Sequence, residues 1–143
     1  MDVSMTLAEI VEELSYSMEI HERRVIESSE LSNLTSTQIH YIDTISHCTD
    51  ATVSELAQRL AVTKPTVTIA VEKLRKLGYV EKTPSDADKR YSFIKLTAQG
   101  KRVALLHDDI HSQYAGIISQ HMTNTEIQSL TELLMKALAA TKK

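Results

Sequence analysis

The 143-residue sequence has no tryptophan, one phenylalanine, one cysteine, two prolines and three glycines. With Cys48 alone, no disulfide can close within the chain, and a reducing, cytoplasmic setting is expected. So little proline and glycine leaves few breakers, and a mainly helical fold is expected. No apolar run is long enough to span a bilayer, so no membrane role is expected. The opening residues, MDVSMTLAEI, carry no basic stretch and do not read as a secretory signal. There is no internal repeat, low-complexity tract or linker, and the chain reads as one domain with a hydrophobic fraction, 42%, large enough for a core.

The net charge of -3 taken whole disfavours nucleic acid, but its distribution does not. From Arg59 to Arg102, eleven Lys and Arg stand against Glu72, Glu81, Asp86 and Asp88, a local charge of +7. The remainder of the chain carries -10. A basic middle between acidic ends is either a DNA footprint or a solvated basic face.

Apolar spacing predicts the elements. Leu7, Ile10, Val11, Leu14, Met18 and Val25 predict a helix from Leu7 to about Glu27, ended by polar Ser28 to Asn33. Thr35 opens a second, with Ile39, Ile42 and Ile45 on one face. Thr52-Val-Ser-Glu55 has the form of a capping box before a short helix carrying Leu56, Ala57 and Leu60. Ala61-Val62 is a tight turn, and Thr63 caps a helix with Pro65 in its first turn and Val67, Val71, Leu74 and Leu77 as its buried stripe. Gly78 stands where a helix terminator is wanted. The period then shifts toward that of strands over 79–83 and 91–96, around the polar turn 84–90. Thr97 caps a long helix from Ala98 to about His121, and Thr123 to Glu126 starts a last one bearing Ile127, Leu130, Leu134 and Leu138.

Two short helices, a tight turn and a hairpin in immediate succession predict a winged helix-turn-helix. The fold class is mainly α with a small β-hairpin wing. A DNA-binding lobe covers about 35–97, and the long helices of 1–34 and 98–143 serve dimerisation. In such a motif the second helix enters the major groove with its N-terminal residues toward the bases. Lys64, Thr66 and Thr68 offer a charge and donors there, and Pro65 and the threonine methyls suit thymine methyl groups. Thr63 and the helix N-terminus can hold a phosphate. Thr52 and Ser54, at the start of the preceding helix, and Lys73, further along the second, complete the contacts expected from the helices. On the wing, Lys89 and Arg90 are placed to reach a minor groove. Asp86 or Asp88 either orients Arg90 by a charge-assisted bond or merely satisfies the turn backbone. The terminal helices carry more Leu, Ile and Met than the short elements can cover, which predicts a homodimer.

The segments Leu56-Ala57, Val62-Thr-Lys-Pro-Thr-Val-Thr68, Leu74-Arg-Lys-Leu-Gly-Tyr-Val80, Ser85-Asp-Ala-Asp-Lys-Arg90 and Leu96-Thr-Ala-Gln-Gly100 resemble the MarR family of bacterial regulators. The resemblance covers nearly the whole chain. It implies a dimer of winged lobes on double-stranded DNA, bound at a pseudo-palindrome, and repression or corepression governed by a ligand at the junction of lobe and dimer helices.

Among six histidines, His107 and His111 stand four apart on a predicted helix, a spacing suited to a metal ion or to an ordinary polar face. The zinc-sensing branch of the family resembles this chain at Leu34-Thr-Ser-Thr-Gln38, just before His40. That resemblance implies zinc ligands at Glu22, His40, His107 and His111. The positions of that branch's second site hold Ser28, Ile39 and Leu106, so a second site of that kind is not expected. The branch that represses fatty-acid synthesis resembles the chain equally, over His40-Tyr-Ile-Asp-Thr-Ile45 and from Leu105 to His111, and implies an acylated carrier protein as effector. Zinc, an acyl carrier and a small molecule therefore stand side by side, with a hydrogen-bonded polar cluster as the plain alternative. His21, His47 and His121 are expected at the surface, and Cys48 as a buried or half-buried thiol without redox function.

No Gly-rich loop, nucleophile elbow or spare carboxylate pair accompanies the histidines, so an enzyme is not expected. A winged helix that binds protein would carry an apolar or acidic wing, whereas Lys64, Lys89 and Arg90 sit where phosphates would lie.

Overall fold

The structure is a computed structural model that describes residues 4–142. In chain order it contains α1 (Leu7–Glu27), a short 3-10 helix (Glu30–Asn33), α2 (Ser36–Ser46), α3 (Val53–Leu60), α4 (Lys64–Lys76), β1 (Val80–Pro84), β2 (Ser92–Leu96), α5 (Ala98–Ser119) and α6 (Asn124–Thr141). Two compact units divide within α5, after Ile110. No helix among the described residues is long and apolar enough to cross a membrane.

In the first unit, threonines set most helix starts. Thr6 and Thr35 each accept from the third helical N–H, while Glu9 and Gln38 reach back to the cap N–H. Thr52 and Thr63 accept from Glu55 and Thr66 N–H in the same way. The reciprocal half of the expected box at Thr52 does not form. The Glu55 carboxylate accepts instead from Arg59, one turn on, at 3.1 Å and 3.0 Å. A charged donor at i+4 outcompetes a neutral N–H.

The core lies where α2, α3, α4 and the hairpin meet. Ile39, Ile42, Leu56, Val67, Val71 and Leu74 are fully buried, with Val80 and Ile94 from the strands. The strands are antiparallel, from Val80 opposite Leu96 to Pro84 opposite Ser92. Ile94 N–H also donates to the Ala51 carbonyl, 2.7 Å, which fastens the hairpin to the entrance of α3. Between α3 and α4, Ala61 takes a left-handed φ of 53° and Val62 N–H closes onto the Ala57 carbonyl at 3.1 Å. Ala61 carries a Cβ and bears about 1–2 kcal/mol for that conformation, which the closing bond and the packing of the two helices offset.

Three further expectations change. Leu77 is exposed rather than part of the α4 stripe, because it caps the helix as the chain turns to Gly78, φ 85°. The polar segment after α1 is not featureless: Ser29 caps the 3-10 helix, which buries Leu31. His21 is half-buried rather than at the surface. In α1 only Ile26 is buried, whereas Leu7, Ile10, Val11 and Leu14 are 42–76% exposed. In the second unit, α6 has a full capping box at Thr123 and Glu126 but buries no residue.

Candidate nucleic-acid interface

The exposed face of α4 begins at its cap. Thr63 Oγ1 accepts from Thr66 N–H and lies 2.8 Å from Thr66 Oγ1. Pro65 fits the first turn, whose N–H groups lack helical partners. Lys64, Pro65, Thr66, Thr68 and Lys73 are all exposed, so the structure leaves the residues expected to meet DNA from this helix open to a partner. Arg75 is less available. Glu72 clamps it with two bonds, 3.0 and 2.7 Å, which raises the Arg75 pKa and lowers that of Glu72.

The wing tip is tied by its own backbone. Ser85 N–H donates to the Tyr91 carbonyl, and Tyr91 N–H to that of Asp88. Asp88 Oδ1 accepts from the Arg90 N–H at 3.0 Å and from Nε at 3.1 Å, and Oδ2 accepts from Nη2 at 3.0 Å. These side-chain and backbone bonds from Arg90 hold the Asp88 carboxyl below its ordinary pKa. The Arg90 side chain nevertheless remains 87% exposed. Asp88 thus fixes the direction of the guanidinium without covering it. Asp86 is exposed and makes no such bond, so of the two candidate aspartates only Asp88 orients the arginine. Lys89 is exposed beside it.

The fold brings the wing to the start of α3. Thr52, Ser54, Lys82, Arg90 and Tyr91 line a recess of about 260 Å³. Hydroxyl groups, two cations and a helix N-terminus around one recess suit a phosphate. Lys82 counted only toward the basic stretch in sequence. The strand register pairs it with Ile94, on the same face of the hairpin and at the recess, and no motif marks it.

Glu22, His40 and His107 also come together. Glu22 Oε1 lies 3.3 Å from His107 Nε2 and 3.8 Å from His40 Nε2, and the two rings meet edge to face at 5.9 Å. The His107 side chain is only 3% exposed. Its other nitrogen, Nδ1, lies 3.4 Å from Asp43 Oδ1, a partner that sequence reasoning does not find. The available signal is spacing: Asp43 lies three residues after His40 on α2 and four before His47 at its C-cap. His111 belongs to the second unit. His47, expected without a partner, holds the Asp43 carbonyl at 2.8 Å, and this bond and the Asp43 charge raise its pKa.

A larger cleft of about 610 Å³ lies between the end of α2, β2 and the start of α5, lined in part by His47, Cys48, Lys95, Lys101, Leu105 and Asp108. Cys48 is half-buried, as expected; burial raises its pKa and its Sγ–H donates to the Thr44 carbonyl. Such a thiol is mostly protonated and unreactive.

Helix-turn-helix, wing and capped α4 together define a winged helix-turn-helix protein. Residues 32–90 match the MarR family. The chain is 35% identical over 95 residues to the HTH-type transcriptional regulator PrsX of Escherichia coli, covering 66% of this chain and 55% of PrsX. It spans about half the length of the curated relatives it matches. Among solved structures, Streptococcus pneumoniae FabT in complex with DNA matches with a TM-score of 0.80 at 26% identity, over 93% of this chain and 92% of FabT. A MarR family protein from Bacillus stearothermophilus has the same fold, with a TM-score of 0.85 at 17% identity over 96% and 94% of the two chains. The chain thus resembles the MarR family in sequence over residues 32–90 and in fold over most of its length. The curated relatives it matches are HTH-type transcriptional regulators.

Proposed function

We propose that the chain is a cytoplasmic, sequence-specific regulator that binds double-stranded DNA as a homodimer, with α4 in the major groove of each half-site, and represses transcription until an effector binds. The observation that carries this reading is the outward cationic surface of one lobe: Lys64 at the start of α4, Lys89 and Asp88-oriented Arg90 on the wing, and Lys82 beside the α3 N-terminus. FabT, which shares the fold, was solved with DNA. The wing arginine would enter the minor groove while the α3 recess holds backbone phosphate. The cleft bearing Lys95, Lys101 and Cys48 offers an effector cavity with both charge and apolar lining.

Duplex binding measured across a salt series tests this. The logarithm of affinity is expected to fall linearly and steeply with the logarithm of salt concentration, because neutralised phosphates release counterions. Arg90→Ala is expected to weaken binding about tenfold on every sequence and to lower the salt slope by about one for each phosphate it no longer neutralises. Affinity that ignores salt in the parent protein would remove the reading.

A second reading, a zinc-responsive regulator, is supported by one observation: ligand atoms of Glu22, His40 and His107 all lie within 4.8 Å of one another. Tetrahedral zinc with bonds of about 2.05 Å separates its ligand atoms by about 3.3 Å, close to the 3.3 Å and 3.8 Å here. Asp43 would orient His107 through Nδ1. Three such ligands leave one position for water or another side chain. Competition against a chromogenic chelator should give a zinc dissociation constant below about 1 µM, weakened at least 100-fold by His107→Ala. Parent protein that leaves the chelator fully loaded would discard the reading and leave the cluster a hydrogen-bonded one.

A further inference from the structure

We infer that Ile69, with Pro65 and the methyl groups of Thr66 and Thr68, makes α4 a reader of thymine C5-methyl groups in the major groove. The inference rests on the DNA-binding reading above and names what its helix recognises.

Ile69 is a large aliphatic side chain that is 67% exposed in the middle of an ordered helix. Helix geometry explains the exposure. Val67 and Val71 are fully buried, and Ile69, two residues from each, is rotated about 200° away from both. The face it occupies also carries Pro65, Thr66 and Lys73, three or four residues away, all exposed. It is therefore an apolar group on the side of α4 that a DNA-docked lobe turns to the bases.

The neighbouring polar groups are spent inside the helix. The Thr68 hydroxyl donates to the Lys64 carbonyl at 3.0 Å, and the Thr66 hydroxyl lies 2.8 Å from that of Thr63. These bonds engage the hydroxyls within the helix and leave the methyl groups beside them as outward apolar chemistry. Bidentate reading of guanine calls for Arg or Lys, and of adenine for Asn or Gln. Helix α4, KPTVTIAVEKLRK, contains no Asn or Gln, and its one arginine, Arg75, is clamped by Glu72, which leaves its exposed lysines as the guanine readers it can offer beside this apolar face. What this surface offers a base edge is mainly methyl and methylene. Thymine is the DNA base that presents a methyl group in the major groove.

The test uses the full chain. Duplexes selected from a random library give a consensus, and each consensus thymine is then replaced by deoxyuridine, which pairs identically but lacks the C5 methyl. Fluorescence anisotropy at fixed salt should show about fourfold weaker binding for each methyl removed from the interface, at one or two positions per half-site. Ile69→Ala, at an exposed position that should fold normally, should bind the thymine and uracil duplexes alike at one of them. Arg90→Ala should bind all duplexes more weakly yet keep the thymine preference. Equal parent affinity for thymine and uracil at every position would overturn the inference while leaving DNA binding intact. So would full discrimination retained by Ile69→Ala. Failure to enrich any duplex, or binding insensitive to salt, would overturn the regulator reading and the inference with it.

Discussion

Gly100→Ala is expected to destabilise the protein by about 3 kcal/mol, a fall in Tm of roughly 10 °C for a chain of this size. Propensity alone predicts the opposite, because alanine in a helix is better than glycine by about 1 kcal/mol. Sterics decide the sign. A Cβ at Gly100 would stand 2.1 Å from the Tyr79 carbonyl oxygen and 3.1 Å from its carbon. Both atoms are backbone, so no rotamer change relieves the overlap. Retreat of the helix is blocked too: Thr97 N–H donates to that same Tyr79 carbonyl at 3.1 Å, and the Thr97 hydroxyl donates to the Gly78 carbonyl at 2.6 Å. Gly100 N–H in turn donates to Thr97 Oγ1 at 3.2 Å. Moving α5 outward breaks these bonds and withdraws buried Val103 from the core. Gly116→Ala is the control, because its Cβ meets nothing within 4 Å. Thermal melts of the two variants should move in opposite directions. A Gly100→Ala protein as stable as its parent would mean that α5 does not start against the end of α4 as described.

That close approach accounts for Leu96-Thr-Ala-Gln-Gly100, a segment legible in sequence as a motif but not as a cause. Much else was legible because the signals are local. The α1 limits follow from apolar spacing, Thr35 opens α2 as expected, Thr123 and Glu126 form the expected capping box, and Pro65 sits in the first turn of α4. What was not legible depends on competition or on distance. Whether Glu55 turns back to its cap or forward to Arg59 is settled by side-chain reach, which spacing does not encode. Leu77 continues the periodicity of α4, yet the helix stops one residue before it. The 3-10 helix at Glu30–Asn33 is too short for any period to register. In the candidate site, the α4 and wing residues are neighbours in sequence and could be assigned together. The recess joining Thr52 and Ser54 to Lys82 and Arg90 depends on the hairpin register and on the Ala51–Ile94 bridge. Asp43 behind His107 similarly requires α2 and α5 to be packed before it can be seen.

Leu134→Asp combined with Leu138→Asp is expected to convert the proposed dimer into a monomer and to weaken binding to its proposed operator at least 100-fold. The physical case starts from what α6 leaves uncovered. It buries no residue, and Leu133, Leu134, Met135 and Leu138 are 49–65% exposed. Leu134 and Leu138 are one turn apart and continue the Ile127 and Leu130 stripe. α1 leaves a similar stripe open at Leu7, Ile10, Val11 and Leu14. Stripes this apolar on two long helices are stable in water when another surface covers them. In a two-fold dimer each substitution counts twice, so four leucines are removed from the interface. Burying a leucine side chain contributes about 1.5–3 kcal/mol. The loss, roughly 6–12 kcal/mol before charge repulsion is added, is comparable with the whole free energy of a micromolar to nanomolar association. The helix itself survives, because aspartate at an exposed helical site costs only about 0.7 kcal/mol. Sedimentation equilibrium should therefore report half the parent mass, while circular dichroism keeps most of the helical signal. DNA affinity falls because a monomer engages one half-site and forfeits the second as an intramolecular event. If the double variant sediments with its parent, α6 is not the dimer seam. If it is monomeric yet binds full-length operator as tightly as the parent, each lobe acts alone and the pseudo-palindrome is not what the protein recognises.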